Sequence, residues 1–364
     1  MFRTTFLSYE PSFLSKKEIQ DPFIVLKKTY KHLPNCEPII DDCWDLWTIA
    51  FRENYWMNYV SPRALYEKCL KILRLLDAGW LISKIRPASI SKGDVIIKGF
   101  NPKSEKIIEN DFGEVAKAYK TIHNSYSQST RFDLGFDLYN AFYQGLMPTS
   151  INFQDLLEES VYSSFKEITS LISALFTVYR SEIGTKRTSK DKVSLNLYTK
   201  YALDLDIPQF SYYDSIDDMF EAFNKQQFFS IIKYLASTSC CNSFWKNNGN
   251  PANVLYYVEE LQFIMEIMWS YLKDKGNKIE KYKWEIPEDE IKETKFVPQA
   301  AIENPLMYLT EEFTKKDLSH RRNDLHNWRL ATLDNKWYNA DSHKEIEQFL
   351  YCVVEVANLL KYKS

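Results

Sequence analysis

The residue types best suited to phosphate chemistry are concentrated between Lys315 and Ala331, in the sequence KKDLSHRRNDLHNWRLA. The six residues from Arg321 to His326 include two arginines, an asparagine, an aspartate and a histidine. Histidine takes up or releases a proton near neutral pH, and the guanidinium group of arginine binds phosphate oxygens through a planar fork. This combination suits metal-free RNA cleavage, in which the 2′-hydroxyl attacks, a histidine transfers a proton and arginines stabilise charge on the phosphate.

A helix drawn through this segment predicts how these side chains are grouped. His326 and Arg329 lie four and seven positions after Arg322, so these three side chains form one stripe along the helix. The stripe borders an apolar arc formed by Leu318, Leu325 and Trp328, and Arg321 falls inside that arc. A charged side chain there must reach solvent or a partner, so we interpret the arc as part of a subunit interface or a cleft. Asp317 and Ser319 are the candidate N-caps, and they place both arginines in the first turns, where free backbone amides favour an anion.

The segment resembles the motif of the ribonuclease members of the HEPN superfamily, small helical domains in which four to six residues separate an arginine from a histidine. Arg321 and His326 match this spacing. In the family a polar residue, often asparagine, commonly follows the arginine, and here Asn323 follows Arg322. Both arginines are therefore candidates, and the resemblance lies mainly in residues 304–364.

The resemblance implies an all-α domain that forms a homodimer through its C-terminal helices. The two motifs would face each other and form a composite, metal-independent endoribonuclease site without a cofactor. His326 would transfer the proton, Arg321 and Arg322 would hold the scissile phosphate, and Asn323 would orient the substrate or His326. The expected substrate-binding residues are Arg329, His320 and Lys316. Many HEPN domains look like toxins or phage-defence effectors, so an antitoxin or regulatory partner is also expected.

Other functions fit the same residues. The chain could bind RNA or a nucleotide without cleaving it, or it could be a helical interaction protein whose apolar arc around Leu318 and Leu325 binds a partner chain. In a purely structural interpretation, Arg321 and Arg322 pair with Asp317 or Asp324 on a solvated helix.

Composition limits the possible classes of protein. A formal net charge of −3 and a pI near 6.1 argue against a protein that coats nucleic acid, so any RNA site must be local. The six cysteines form no CxxC pair and predict no metal site. No segment predicts a signal peptide or a membrane span, and we expect a cytoplasmic protein.

The chain as a whole predicts an all-α, multi-helix bundle, because glycine is sparse and apolar residues recur at steps of three and four. We expect a helical accessory domain over residues 1–148 and the HEPN-like helical domain over 149–364. A β-like run at Val95–Ile97 predicts a short hairpin near 90–100. One long helix is predicted over 38–59, and Ser342 and Glu345 predict a capping box at the start of the last helix.

Overall fold

The computed structural model describes residues 13–58, 60–85, 105–128, 131–148, 159–182, 212–247, 249–276, 283–334, 336 and 338–363. Within these ranges the chain forms 15 α-helices and no β-strand beyond a single isolated bridge between Trp284 and Lys363. The predicted all-α fold is confirmed. The hairpin predicted near 90–100 lies outside the described residues.

The chain divides into two compact units, the first spanning Tyr9–Leu205 and the second containing Asp206–Ser364. The boundary that the sequence suggested at residue 148 falls inside the first unit. The described helices of the first unit are α1 (Lys16–Gln20), α2 (Phe23–Tyr30), α3 (Glu37–Ile49), α4 (Tyr55–Asn58), α5 (Pro62–Ile85), α6 (Glu105–Gln128), α7 (Arg131–Gly145) and α8 (Glu159–Glu182). Helices α3, α5 and α7 pack against one another, and α8 packs against α2 and α6.

The long helix predicted over 38–59 is broken in the structure. Helix α3 ends at Ile49 and α4 begins at Tyr55. Between them Asn54 has a φ of 49°, in the left-handed region that a right-handed helix cannot include. Asparagine adopts this conformation more readily than most residues. The apolar residues on both sides of the break recur at helical spacing, so the sequence predicted one continuous helix.

The described helices of the second unit are α9 (Tyr212–Ala222), α10 (Lys225–Ser239), α11 (Pro251–Lys275), α12 (Glu288–Glu293), α13 (Pro305–Lys315), α14 (Leu318–Leu333) and α15 (Lys344–Leu359). Helix α11 packs against α9, α10, α13, α14 and α15, and it is therefore central to this unit. Its apolar side chains are almost fully buried, among them Leu255, Leu261, Ile264 and Met268. The burial of this apolar surface is the main force that holds the unit together.

Local capping fixes the starts of the two helices around the motif. The side chain of Asn304 accepts a hydrogen bond from the backbone N–H of Met307 at 3.2 Å, and α13 begins at the next residue. Asp317 accepts from the N–H of His320 at 3.0 Å and caps α14. Each cap satisfies a backbone donor that the first turn of a helix leaves free.

The start of α15 differs from the prediction. The capping box expected from Ser342 and Glu345 is not formed, because a short 3₁₀ segment, Ala340–His343, leads into the helix and His343 is the N-cap without a capping side chain. The carboxylate of Glu345 instead contacts side chains of two other elements, which are described below.

Candidate functional site

Helix α14 carries the motif, and the predicted apolar arc faces the interior. Leu318, Leu325 and Trp328 are 7%, 1% and 1% exposed. The indole Nε1 of Trp328 donates a hydrogen bond to Ser239 Oγ at 3.3 Å, which joins α14 to α10. Helix α14 also packs against α11 and α15. Its backbone is therefore held on several sides, as a positioned site requires.

Arg321 is buried within this arc, and carboxylates of the same chain surround it. Its Nη1 lies 3.1 Å from Glu345 Oε1, its Nη2 lies 3.7 Å from Glu312 Oε2, and its Cζ lies 3.9 Å above the ring of Phe349. Burial lowers the pKa of the guanidinium group below its ordinary value, against the opposing effect of Glu345 and Glu312. The partner that the sequence required for Arg321 is thus supplied within the chain, on α13 and α15.

The stripe of Arg322 and Arg329 faces α11. Arg322 Nε donates to Glu266 Oε1 at 2.8 Å, and Gln262 Nε2 donates to the same oxygen at 2.7 Å. Arg329 Nη2 lies 3.5 Å from Gln262 Oε1, and this arginine is 3% exposed. The two arginines therefore contact the central helix of the unit, and not an open phosphate-binding surface.

The outward face of α14 is polar and carries few charges. His320, Asn323 and Asn327 are exposed at i, i+3 and i+7, and His326 lies half-buried beside them. The ring Nδ1 of His320 lies 2.8 Å from the capping carboxylate of Asp317. This face is accessible, and it bears amide and imidazole groups that bind phosphates or bases.

A cluster of alternating charges lies at the start of α14 and α15. Lys316 Nζ lies 2.7 Å from Asp324 Oδ2 and 3.2 Å from Glu345 Oε2. The hydrogen bond to Asp324 is the main reason why the pKa of Lys316 is raised. Lys315 Nζ lies 2.6 Å from Glu312 Oε1. Asp324 therefore pairs with Lys316, and its charge also acts on Arg321.

His343 lies half-buried beside the motif helix. Its ring stacks on that of Trp328, with centroids 6.1 Å apart and an interplanar angle of 18°. Its buried Nε2 has no hydrogen-bond partner within the described part of the chain. Burial lowers the pKa of His343 below its ordinary value of 6.5, although the charge of Asp324 opposes this effect.

Sequence reasoning missed the acidic and amide groups that bind the arginines. They lie on three other helices and are Gln262, Glu266, Glu312 and Glu345. Their separation from the motif along the chain left no local signal. Glu266 lies among apolar residues of α11, where a buried carboxylate requires a cationic partner, and this was the one usable indication.

Neither the described residues nor the comparisons with known proteins identify the chemistry of the site. Among the described residues, no group of three or more histidine, cysteine or acidic side chains could hold a metal ion. No helix in the described ranges is long and apolar enough to cross a membrane. No protein-family model, curated protein or solved structure matches this chain, so the HEPN resemblance rests on the motif residues and stays a prediction.

Proposed function

We propose that the second unit is a metal-independent endoribonuclease of the HEPN type, which cleaves RNA by attack of the 2′-hydroxyl at a site formed between two copies of the chain. The observation that carries this proposal is the exposed polar face of α14. His320, Asn323 and Asn327 share this face, and His326 lies at its edge. Asp324 is the one acidic residue of α14, and it is paired with Lys316.

The positions of Arg321 and His326 on α14 favour a composite site. His326 lies five positions after Arg321 along the helix, which corresponds to about 140° around its axis. Arg321 therefore leaves α14 toward α13 and α15, whereas His326 leaves it close to the face of Arg322. A second copy, with its α14 antiparallel to the first, would bring the arginine of one protomer toward the histidine of the other.

The contacts of the two arginines suggest different roles in such a site. Arg322 is held by Glu266 on the central helix, so we assign it to the positioning of α14. Arg321 has an exposed partner in Glu345, whose side chain is 67% exposed, and we assign it to phosphate binding. His326 would transfer the proton, Asn323 would orient the substrate, and Lys316 and His320 would be secondary contacts. Arg329 is buried against Gln262, so we assign it to the packing of α14 on α11.

The proposal is tested by cleavage of total RNA and tRNA in EDTA, with wild type, His326→Ala and the matched control His32→Ala. His32 is exposed and belongs to the first unit. We expect cuts by wild type and by the control that leave 2′,3′-cyclic phosphates, and a loss of at least about 100-fold in His326→Ala. Equal cleavage by His326→Ala would remove the proposed role of this histidine. Sedimentation would also have to show a dimer, whose loss should abolish the cuts.

A second candidate function, binding of RNA or of a protein partner without cleavage, is favoured by a specific observation. Arg321, Arg322 and Arg329 each contact a carboxylate or an amide of the same chain. Arginines with such contacts stabilise the fold without needing a role in catalysis. A folded wild-type protein that binds RNA but leaves it uncut under all conditions of the first experiment would favour this alternative.

A further inference from the structure

The charge cluster at the start of α15 contains an anion that is held as a phosphate would be. Arg321 Nη1 lies 3.1 Å from Glu345 Oε1, and Lys316 Nζ lies 3.3 Å from the same oxygen and 3.2 Å from Oε2. A single planar anion thus bridges a guanidinium and an ammonium group. Two oxygens of a phosphodiester bridge such a pair of cations in the same manner.

We propose that Glu345 is a built-in substitute for an RNA phosphate, and that the substrate phosphate displaces it from Lys316 and Arg321. This inference rests on the proposed function, because it names the group that keeps the phosphate site of that function closed.

The exposure of the three side chains determines which of them moves. The Arg321 side chain is 3% exposed and Lys316 is 28% exposed, whereas Glu345 is 67% exposed. Arg321 is fixed above Phe349 and cannot leave without uncovering that ring. Glu345 can rotate into water with little loss of buried surface, so the anion is the exchangeable part and the cations are the fixed part.

Two further observations point to an anion site. The Nε of Arg321 is buried and has no hydrogen-bond partner in the described residues, so the guanidinium group retains an unused donor. Glu345 is the second residue of α15 after the N-cap His343, so its carboxylate is not part of a capping box and contacts the two cations.

The local charges explain how the carboxylate closes the site. Lys315, Lys316 and Arg321 are matched by Glu312, Asp324 and Glu345, three cations against three anions. With Glu345 in place the cluster is formally neutral and attracts a phosphate only weakly. Once Glu345 moves away, the cluster has a formal charge of +1, concentrated on Lys316 and Arg321.

The test compares the full-length wild type with Glu345→Gln, and with Glu303→Gln as a control for the loss of one negative charge. Glu303 is exposed and lies between α12 and α13, outside the cluster. The ligand is a fluorescein-labelled single-stranded RNA with 2′-O-methyl groups, which cannot be cleaved through the 2′-hydroxyl. Binding is followed by fluorescence anisotropy in EDTA, and inorganic phosphate is titrated separately by calorimetry.

We expect Glu345→Gln to bind this RNA about fivefold more tightly than wild type, and Glu303→Gln to bind as wild type does. Adding Lys316→Met to Glu345→Gln should remove the gain. Equal RNA affinity of wild type and Glu345→Gln would overturn the inference. So would a gain confined to inorganic phosphate, because it would make the ligand a free anion and not RNA.

A cleavage assay separates this inference from the function on which it rests. Cleavage of unmodified RNA by wild type, without tighter binding by Glu345→Gln, would leave the ribonuclease proposal standing and refute the role of Glu345. Tighter binding of RNA by Glu345→Gln, without cleavage by either protein, would support the phosphate site and refute the ribonuclease.

Discussion

Arg322→Met is expected to lower the free energy of unfolding of the second unit by about 2–3 kcal/mol. Arg322 Nε lies 2.8 Å from Glu266 Oε1, and the two side chains are 14% and 11% exposed. Removing one partner of a fully buried ion pair costs about 3–5 kcal/mol, because the remaining charge loses its compensation. We take a lower value since both side chains keep some contact with water and Gln262 still donates to Glu266 at 2.7 Å.

A double-mutant cycle isolates the contribution of this ion pair. Glu266→Gln, Arg322→Met and the double variant are compared with wild type by urea unfolding, and we expect a coupling free energy of about 1–2 kcal/mol. Arg63→Met is the control, because Arg63 pairs with Glu67 on an exposed helix surface, with 31% and 52% of the two side chains exposed. That substitution should cost no more than about 0.5 kcal/mol.

The cycle also bears on which arginine belongs to the site. A coupling free energy below about 0.5 kcal/mol would refute the inference that Glu266 holds Arg322 in place. If the coupling is as large as expected, RNA cleavage by Arg322→Met below its unfolding temperature should remain within about tenfold of wild type, because Arg322 is not assigned a substrate contact and the buried Leu325 and Trp328 still anchor α14. Complete loss of cleavage in this folded variant would make Arg322 the essential arginine in place of Arg321.

The remaining predictions concern other buried polar groups. Glu355 is 1% exposed and accepts hydrogen bonds from the N–H groups of residues 295–297 at 2.7–2.9 Å, so Glu355→Gln should cost about 2–4 kcal/mol in urea unfolding. Desolvation raises the pKa of Glu290, but Lys225, Lys361 and Tyr362 together bring it below its ordinary value. The folded state therefore binds this proton more weakly than the unfolded state, so the stabilisation is present at neutral pH and is lost as the pH falls below about 4.5. Glu290→Gln should flatten the dependence of stability on pH in that range, and an unchanged slope would contradict the assignment. His343 should titrate below 6.5 by NMR, since burial lowers its pKa, and a value above 6.5 would show that Asp324 dominates.

Features set by neighbouring residues could be predicted from the sequence. Asp317 was a candidate cap and forms the cap of α14. Apolar spacing placed Leu318, Leu325 and Trp328 on one side of that helix, and all three are buried. Such features depend on the geometry of one or two helical turns, so the sequence contains the information required.

Features that depend on tertiary contacts could not be predicted in the same way. Helical spacing placed Arg321 in the apolar arc of α14, and the structure buries it there. Nothing near Arg321 in the chain identified Glu312 and Glu345 as its partners. The break between α3, which ends at Ile49, and α4, which begins at Tyr55, could not be predicted either, because the left-handed conformation of Asn54 leaves no periodic signal.

The contacts of Glu345 show why a local capping rule failed at the start of α15. A helix cap contributes about 0.5–2 kcal/mol, and Glu345 is correctly spaced from Ser342 to supply the second half of a capping box. The ion pair of Glu345 with Arg321 contributes a similar amount, about 1 kcal/mol or less, because Glu345 is 67% exposed and Glu312 also lies near the guanidinium group. The geometry of the helix start therefore decides between the two. The 3₁₀ segment Ala340–His343 makes His343 the N-cap of α15, and the backbone N–H of Ser342 donates to the carbonyl of Asn339. The donor that a capping box needs is thus already satisfied, and the carboxylate of Glu345 contacts Arg321 and Lys316.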